Sequence, residues 1–125
     1  MKANNEIVIK VSNYLVSWQQ SIKKSLISYD KGSSFNDDNW SSSLGSGKSS
    51  VISNSAIFES AGVNFSHVAG SELPAASLPG RSELTGKPFI ALGVSTVIHP
   101  LNPYIPTAHA NLRFFIVDPD SENPH

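Results

Sequence analysis

Five side chains carry most of the chemistry legible in this chain: Ser95, His99, His109, Asn111 and Arg113. In an extended strand alternate residues share a face. Within AHANLRFFIV (108–117), His109, Asn111 and Arg113 therefore point one way, and Ala110, Leu112, Phe114 and Ile116 the other. The same parity in PFIALGVSTVIH (88–99) groups Ser95, Val97 and His99 against Leu92, Val94, Thr96 and Ile98. If these two strands pair antiparallel, His99 is expected near His109 and Ser95 near Arg113. Such a face suits an anionic substrate that exchanges protons: arginine grips a carboxylate, asparagine and serine add hydrogen bonds, and imidazole trades protons near neutral pH. The two imidazoles could instead share a metal ion. A solvent-facing strand is also polar by default, so the pattern alone leaves a catalytic site, a small metal- or ligand-binding module and a plain surface all open.

The elements that must position these residues follow from periodicity. Between residues 4 and 30, Ile7, Val11, Leu15, Trp18, Ile22, Leu26 and Tyr29 recur at spacings of three and four, which predicts a helix with one apolar stripe that packs on a sheet. Asn4 or Asn5 is expected to cap its start, and Asp30-Lys31-Gly32 to end it. Residues 32–50 are rich in serine and glycine and read as a long loop, with Phe35 and Trp40 tucking it against the core. Strand character begins at Ser50 with Val51-Ile52 and Ala56-Ile57-Phe58. After a turn at Ser60-Ala61-Gly62 it resumes over Gly62 to Val68. Residues 69–87 read as an irregular connection. Pro100, Pro103 and Pro106 rule out a regular helix between the last two strands, and the acidic tail from Asp118 is expected to fray.

Composition narrows the function classes. The chain has 125 residues, 39% hydrophobic and 15% charged, which suits one small unit spanning residues 1–125. Nine Lys+Arg against ten Asp+Glu leave no basic excess to grip nucleic acid or an acidic membrane. There is no cysteine, so disulfides, thiolate metal sites and a cysteine nucleophile are excluded. No window approaches the roughly 18 apolar residues of a membrane span, and a cytoplasmic location is expected.

Weaker motifs carry bland readings. Gly47-Lys48-Ser49 matches the end of a phosphate-binding loop, but Ser42 stands where the first glycine belongs and a strand-like segment follows where a helix should. The adjacent acids Asp37 and Asp38 read as solvated loop residues. His67, on the parity of Val63 and Phe65, reads as a hydrogen-bonded, half-buried histidine, and Arg81 as a surface arginine.

Longer stretches are more specific. Phe58-Glu59, Gly62-Val63-Asn64-Phe65-Ser66-His67-Val68, Gly93-Val94-Ser95, Ile98-His99-Pro100 and the run from Asn102 to Phe115 (NPYIPTAHANLRFF) resemble the oxygen-dependent coproporphyrinogen III oxidases of haem biosynthesis. The resemblance is close over residues 57–115. It implies an α+β fold, an antiparallel β-sheet flanked by helices, acting as a homodimer. It implies oxidative decarboxylation of two propionates of coproporphyrinogen III to vinyl groups by molecular oxygen, giving protoporphyrinogen IX, carbon dioxide and hydrogen peroxide. By motif position His109 matches the family's proton donor, Ser95 and the Asn111-Leu112-Arg113 segment match substrate contacts, and His99 and His109 match ligands for a divalent metal.

Departures from the family pattern are local. Residues 43–50 hold only Lys48 where a glycine-rich loop with arginines is expected, and Lys48 cannot reproduce a bidentate carboxylate grip. Ser82 and Thr85 also depart from the pattern beside Arg81 and Leu84. The chain is expected to be the N-terminal part of the enzyme, without the C-terminal part. The alternative reading is a truncated, non-catalytic remnant that binds porphyrinogen or a metal without turnover.

Overall fold

A computed structural model describes the backbone from Lys2 and the side chains from Asn5 onward, through His125. One helix, α1 (Lys2–Tyr29), precedes five strands: β1 (Asn36–Ser42), β2 (Gly45–Ser53), β3 (Phe58–Gly70), β4 (Phe89–Pro100) and β5 (Ala108–Val117). All neighbours pair antiparallel in the order β1-β2-β3-β4-β5, a meander. This is the α+β class that the sequence implies, with a single long helix lying over β3 and β4 on one face of the sheet.

The core lies between helix and sheet. Val8, Leu15 and Leu26 of α1 meet Ile52, Phe58, Ala61, Val63, Leu92, Val94 and Ile116, with Trp18 and Ile22 packed at the margin. Full burial of each large side chain contributes roughly 1.5–3 kcal/mol. The expected stripe holds in its middle and slips at its ends: Ile7 is 44% and Tyr29 74% exposed, while Val8 and Gln19 are buried. Gln19 is tolerated there because its Nε2 donates to the carbonyls of Lys48 and Val63 at 3.0 and 2.9 Å. The helix begins ahead of Asn4 and Asn5, so neither stands at its start; the Asn4 side chain lies outside the described residues. It ends at Tyr29 as expected, where the Asp30 N–H reaches back to Leu26 and Ile27.

Three expectations are corrected. Residues 32–50 are not a loop: most of them form the β1–β2 hairpin around Ser43 and Leu44. Low strand propensity is overridden there by tertiary contacts. Lys23 of α1 and Lys48 both pair with Asp37, at 2.8 and 3.2 Å, and Phe35 packs at the core margin. Trp40 covers Gly47, where an added Cβ would collide with the indole ring. The turn expected at Ser60-Ala61-Gly62 falls instead at residues 54–57, and β3 runs through the segment with a register irregularity between Phe58 and Ser60. The chain is steered there by Asn54, whose φ is 53°. The tail does not fray. His125 exchanges backbone hydrogen bonds with Val117 at 2.7 and 3.0 Å, and Asp118 pairs with Lys87 at 3.3 Å.

The connection between β3 and β4 is irregular, as expected, and ordered by a small core of its own. Leu73 and Leu84 pack with Val117, flanked by Leu78, Phe89 and Phe115.

Candidate active site

Strand pairing makes the face turned away from α1 a grid whose rows can be read directly from the register. One row runs Asp38, Ser49, Asn64, Ser95, Asn111, polar from edge to edge. The next runs Trp40, Gly47, Ser66, Gly93, Arg113, with small residues between an indole and a guanidinium. A third runs Asn36, Val51, Gly62, Val97, His109.

Small residues open a trough in this grid. A cleft of about 220 Å³ is lined by Ser66, Val68, Ala91, Gly93, Ser95, Asn111, Arg113 and Phe115, among others. Gly93 forms its floor: a Cβ there would stand 3.1 Å from the Leu112 carbonyl and 3.4 Å from Arg113 Cγ. Phe115, at one end, touches the small core of the β3–β4 connection.

The expected face exists, with a register different from that assumed. Ser95 stands opposite Asn111, not Arg113, and Gly93 is the residue opposite Arg113. His109 stands opposite Val97. His99 lies beyond the last β4–β5 pair, its Nδ1 3.4 Å from Thr107 Oγ1. Ser95 and Arg113 are thus diagonal neighbours, as are the two histidines, a relation that long side chains can span. Leu112 stands opposite Val94, so its side chain is on the helix side of the sheet. Only its backbone is available to the open face.

Arg113 is braced. With its amide oxygen turned toward the guanidinium, the orientation that satisfies both groups, Asn111 accepts from Arg113 Nε at 3.0 Å and Nη2 at 3.1 Å. Both residues, and His109, are exposed, while Ser95 is half-buried and its hydroxyl has no hydrogen bond among the described residues. A fixed guanidinium beside an unpaired hydroxyl and a free imidazole can hold a carboxylate and move a proton next to it.

The other charged candidates are occupied elsewhere. Asp37 and Asp38 fall on opposite faces, so they are not an acid pair. Lys23 beside Asp37, joined by Lys48, holds that carboxyl well below the usual carboxylate range. Lys48 is therefore a structural cation on the helix side. Gly47-Lys48-Ser49 are strand residues with no helix behind them. Arg81 pairs with Glu83. His67 is half-buried as expected, without a hydrogen bond to its ring among the described residues.

A divalent metal does not fit the residues present. His99 and His109 are only diagonal neighbours, and no group of three His, Asp or Glu side chains gathers among the described residues. Three protein ligands are the usual minimum for a catalytic zinc-type site.

Ser66 and Gly93, which line the cleft, and Asn64 and Trp40, which share its rows, were missed. The signal for Asn64 and Ser66 was the alternation of GVNFSHV itself: with Val63 and Phe65 inward, Gly62, Asn64 and Ser66 must face outward. Trp40 gave no such signal, since its strand was not legible.

Fold and site together define an α+β protein whose open sheet face carries Ser95, His109, Asn111 and Arg113 side by side. The side chains that equip it come from adjacent antiparallel strands and are held by their pairing. The model of the family described as coproporphyrinogen III oxidase matches residues 10–125, and the chain belongs to that family. The family ties the protein to oxidoreductase chemistry in porphyrin biosynthesis. No helix among the described residues is long and apolar enough to cross a membrane.

Proposed function

We propose that the open face binds coproporphyrinogen III and supports its oxidative decarboxylation. The observation that carries this reading is the braced Asn111–Arg113 pair beside Ser95 and His109, in a family whose substrate bears four propionates. Arg113 takes one propionate carboxylate as a charge-assisted pair, held in orientation by Asn111. Ser95 donates from its hydroxyl to a second oxygen of the substrate, and the Leu112 backbone, between Asn111 and Arg113 on β5, lies beside Gly93 at the floor of the cleft. His109, exposed and beyond the carboxylate grip, moves a proton at the reacting carbon.

The chemistry balances without a further cofactor. Each propionic side chain, –CH₂–CH₂–COOH, reacts with one O₂ to give –CH=CH₂, CO₂ and H₂O₂; the side chain loses two electrons and oxygen gains them. Molecular oxygen is the acceptor in this reading. The protein's contribution is to fix the carboxylate, position the adjacent methylene and supply or remove protons. By the same family resemblance, the working form is a cytoplasmic homodimer, which light scattering on a size-exclusion column tests.

Turnover is tested with the purified chain and coproporphyrinogen III in air and under nitrogen, separating porphyrins by carboxylate number. Oxygen-dependent appearance of the dicarboxylate supports the reading. Folded protein that binds substrate without forming product assigns the chain to the non-catalytic alternative, and absence of both binding and product overturns the proposal.

A further inference from the structure

The polar row Ser49, Asn64, Ser95 crosses three neighbouring strands, and its middle residue has no part in the proposed reaction. Asn64 sits on β3, the central strand of the sheet, directly opposite Ser49 on β2 and Ser95 on β4. Its Oδ1 is fully enclosed and has no hydrogen-bond partner among the described residues. Native proteins rarely keep a buried acceptor unpaired, because its lost hydration is then uncompensated. The amide nitrogen lies over bare backbone: a Cβ added to Gly62 would stand 3.6 Å from Asn64 Nδ2 and meet no other atom within 4 Å. The amide therefore has room to turn.

Two half-buried hydroxyls flank that amide, and neither Ser49 nor Ser95 makes a side-chain hydrogen bond among the described residues. Residues directly opposite on antiparallel strands have Cβ atoms about 4.5–5.5 Å apart, a gap that asparagine and serine side chains span. Ser95 lines the cleft beside Arg113, whereas Asn64 does not line it. Asn64 thus reaches a bound molecule only through Ser95.

We propose that Asn64 is the positioning residue for the Ser95 hydroxyl. The Ser49 hydroxyl donates to Asn64 Oδ1, Asn64 Nδ2 donates to Ser95 Oγ, and the Ser95 proton is left to point into the cleft. An amide suits this place because it presents an acceptor on one arm and donors on the other. A carboxylate there would take the Ser95 proton for itself. With its rotor already set, Ser95 loses less freedom when it donates to a substrate oxygen. The inference rests on the reading of the open face given above, since it gives Ser95 the donor's role.

The test has two arms, both on the full chain. In the free protein, NMR follows exchange of the Asn64 side-chain NH₂ protons with water. Exchange is expected to be about tenfold faster in Ser95→Ala and unchanged in Ser66→Ala. The second arm is a double-mutant cycle in equilibrium binding of coproporphyrinogen III. Asn64→Ala is expected to weaken binding by about tenfold when Ser95 is present and to have no further effect in Ser95→Ala. A merely structural role would instead give additive losses in the two backgrounds. Additive losses, or unchanged exchange in Ser95→Ala, overturn the proposal. The exchange arm leaves Asn64 in place, so it decides even if Asn64→Ala does not fold. Failure of the parent chain to bind coproporphyrinogen III overturns the reading of the open face, while the exchange arm still decides whether Asn64 donates to Ser95.

Discussion

Asn111 and Arg113 stand on the same face of β5, two residues apart, and the amide of the first receives two hydrogen bonds from the guanidinium of the second, at 3.0 and 3.1 Å. An arginine on an exposed edge strand would otherwise sample many rotamers. Asn111→Ala is therefore expected to weaken binding of coproporphyrinogen III by about tenfold through loss of orientation, with Arg113 still present. Arg113→Lys should weaken it more, because an ammonium keeps the charge and loses both the fork and the brace. Equilibrium binding of the two variants checks the order.

Arg113 and His109 are expected to separate in kinetics. Arg113→Ala raises KM by about tenfold to a hundredfold, the value of a charge-assisted bond, with the smaller effect on kcat. His109→Ala lowers kcat by about a hundredfold or more, the range of general acid–base catalysis, with the smaller effect on KM. Equal effects of both substitutions on both constants would remove the assigned roles.

Gly93 is expected to matter as empty space. Gly93→Ala places a methyl group on the trough floor, 3.4 Å from Arg113 Cγ and 3.1 Å from the Leu112 carbonyl. It should fold with a lowered Tm and bind substrate about tenfold more weakly, since overpacking costs about 1 kcal/mol or more. Calorimetric unfolding together with binding separates the two effects.

Asp37 ties the β1–β2 hairpin to the helix through Lys23, and its folded pKa lies below the unfolded value. A depressed carboxylate stabilises the fold fully above its unfolded pKa, near 4, and that contribution is lost as pH falls toward the folded value. Asp37→Asn is thus expected to lower Tm at pH 7, with the difference from the parent shrinking between about pH 4 and the lowest accessible pH. Thermal melts across that range measure it. A constant difference would show that Asp37 acts through packing alone.

The polar face of β4 and β5 was legible because alternation is a property of any strand. Both strands are dense in β-branched and aromatic residues, as in Val94, Thr96, Val97, Ile98, Phe114 and Phe115. Their register was not legible. A two-residue step along a strand keeps every side chain on its face while changing its neighbour, so parity cannot tell whether Ser95 meets Asn111 or Arg113. The β1–β2 hairpin was hidden for a different reason: NDDNWSS and the GSGKS stretch ahead of the strand-like Val51-Ile52 carry neither alternation nor propensity. It forms because Asp37 finds Lys23, Phe35 finds the core, and Trp40 covers Gly47 on the paired strand, contacts that no single contiguous segment encodes.

What the sequence determined by itself was the helix through its 3.6-residue stripe, the two signature strands with the faces of Ser95, His99, His109, Asn111 and Arg113, and the family, through the run from Asn102 to Phe115. Each is encoded within one contiguous segment. Tertiary structure alone decided the register that braces Arg113 with Asn111 and sets Gly93 beneath it, the hairpin that brings Trp40 to the same row, and the pinning of the tail by Val117 and His125. Each of these depends on which segments meet, and that is settled by the burial of the whole core beneath α1 rather than by any local pattern.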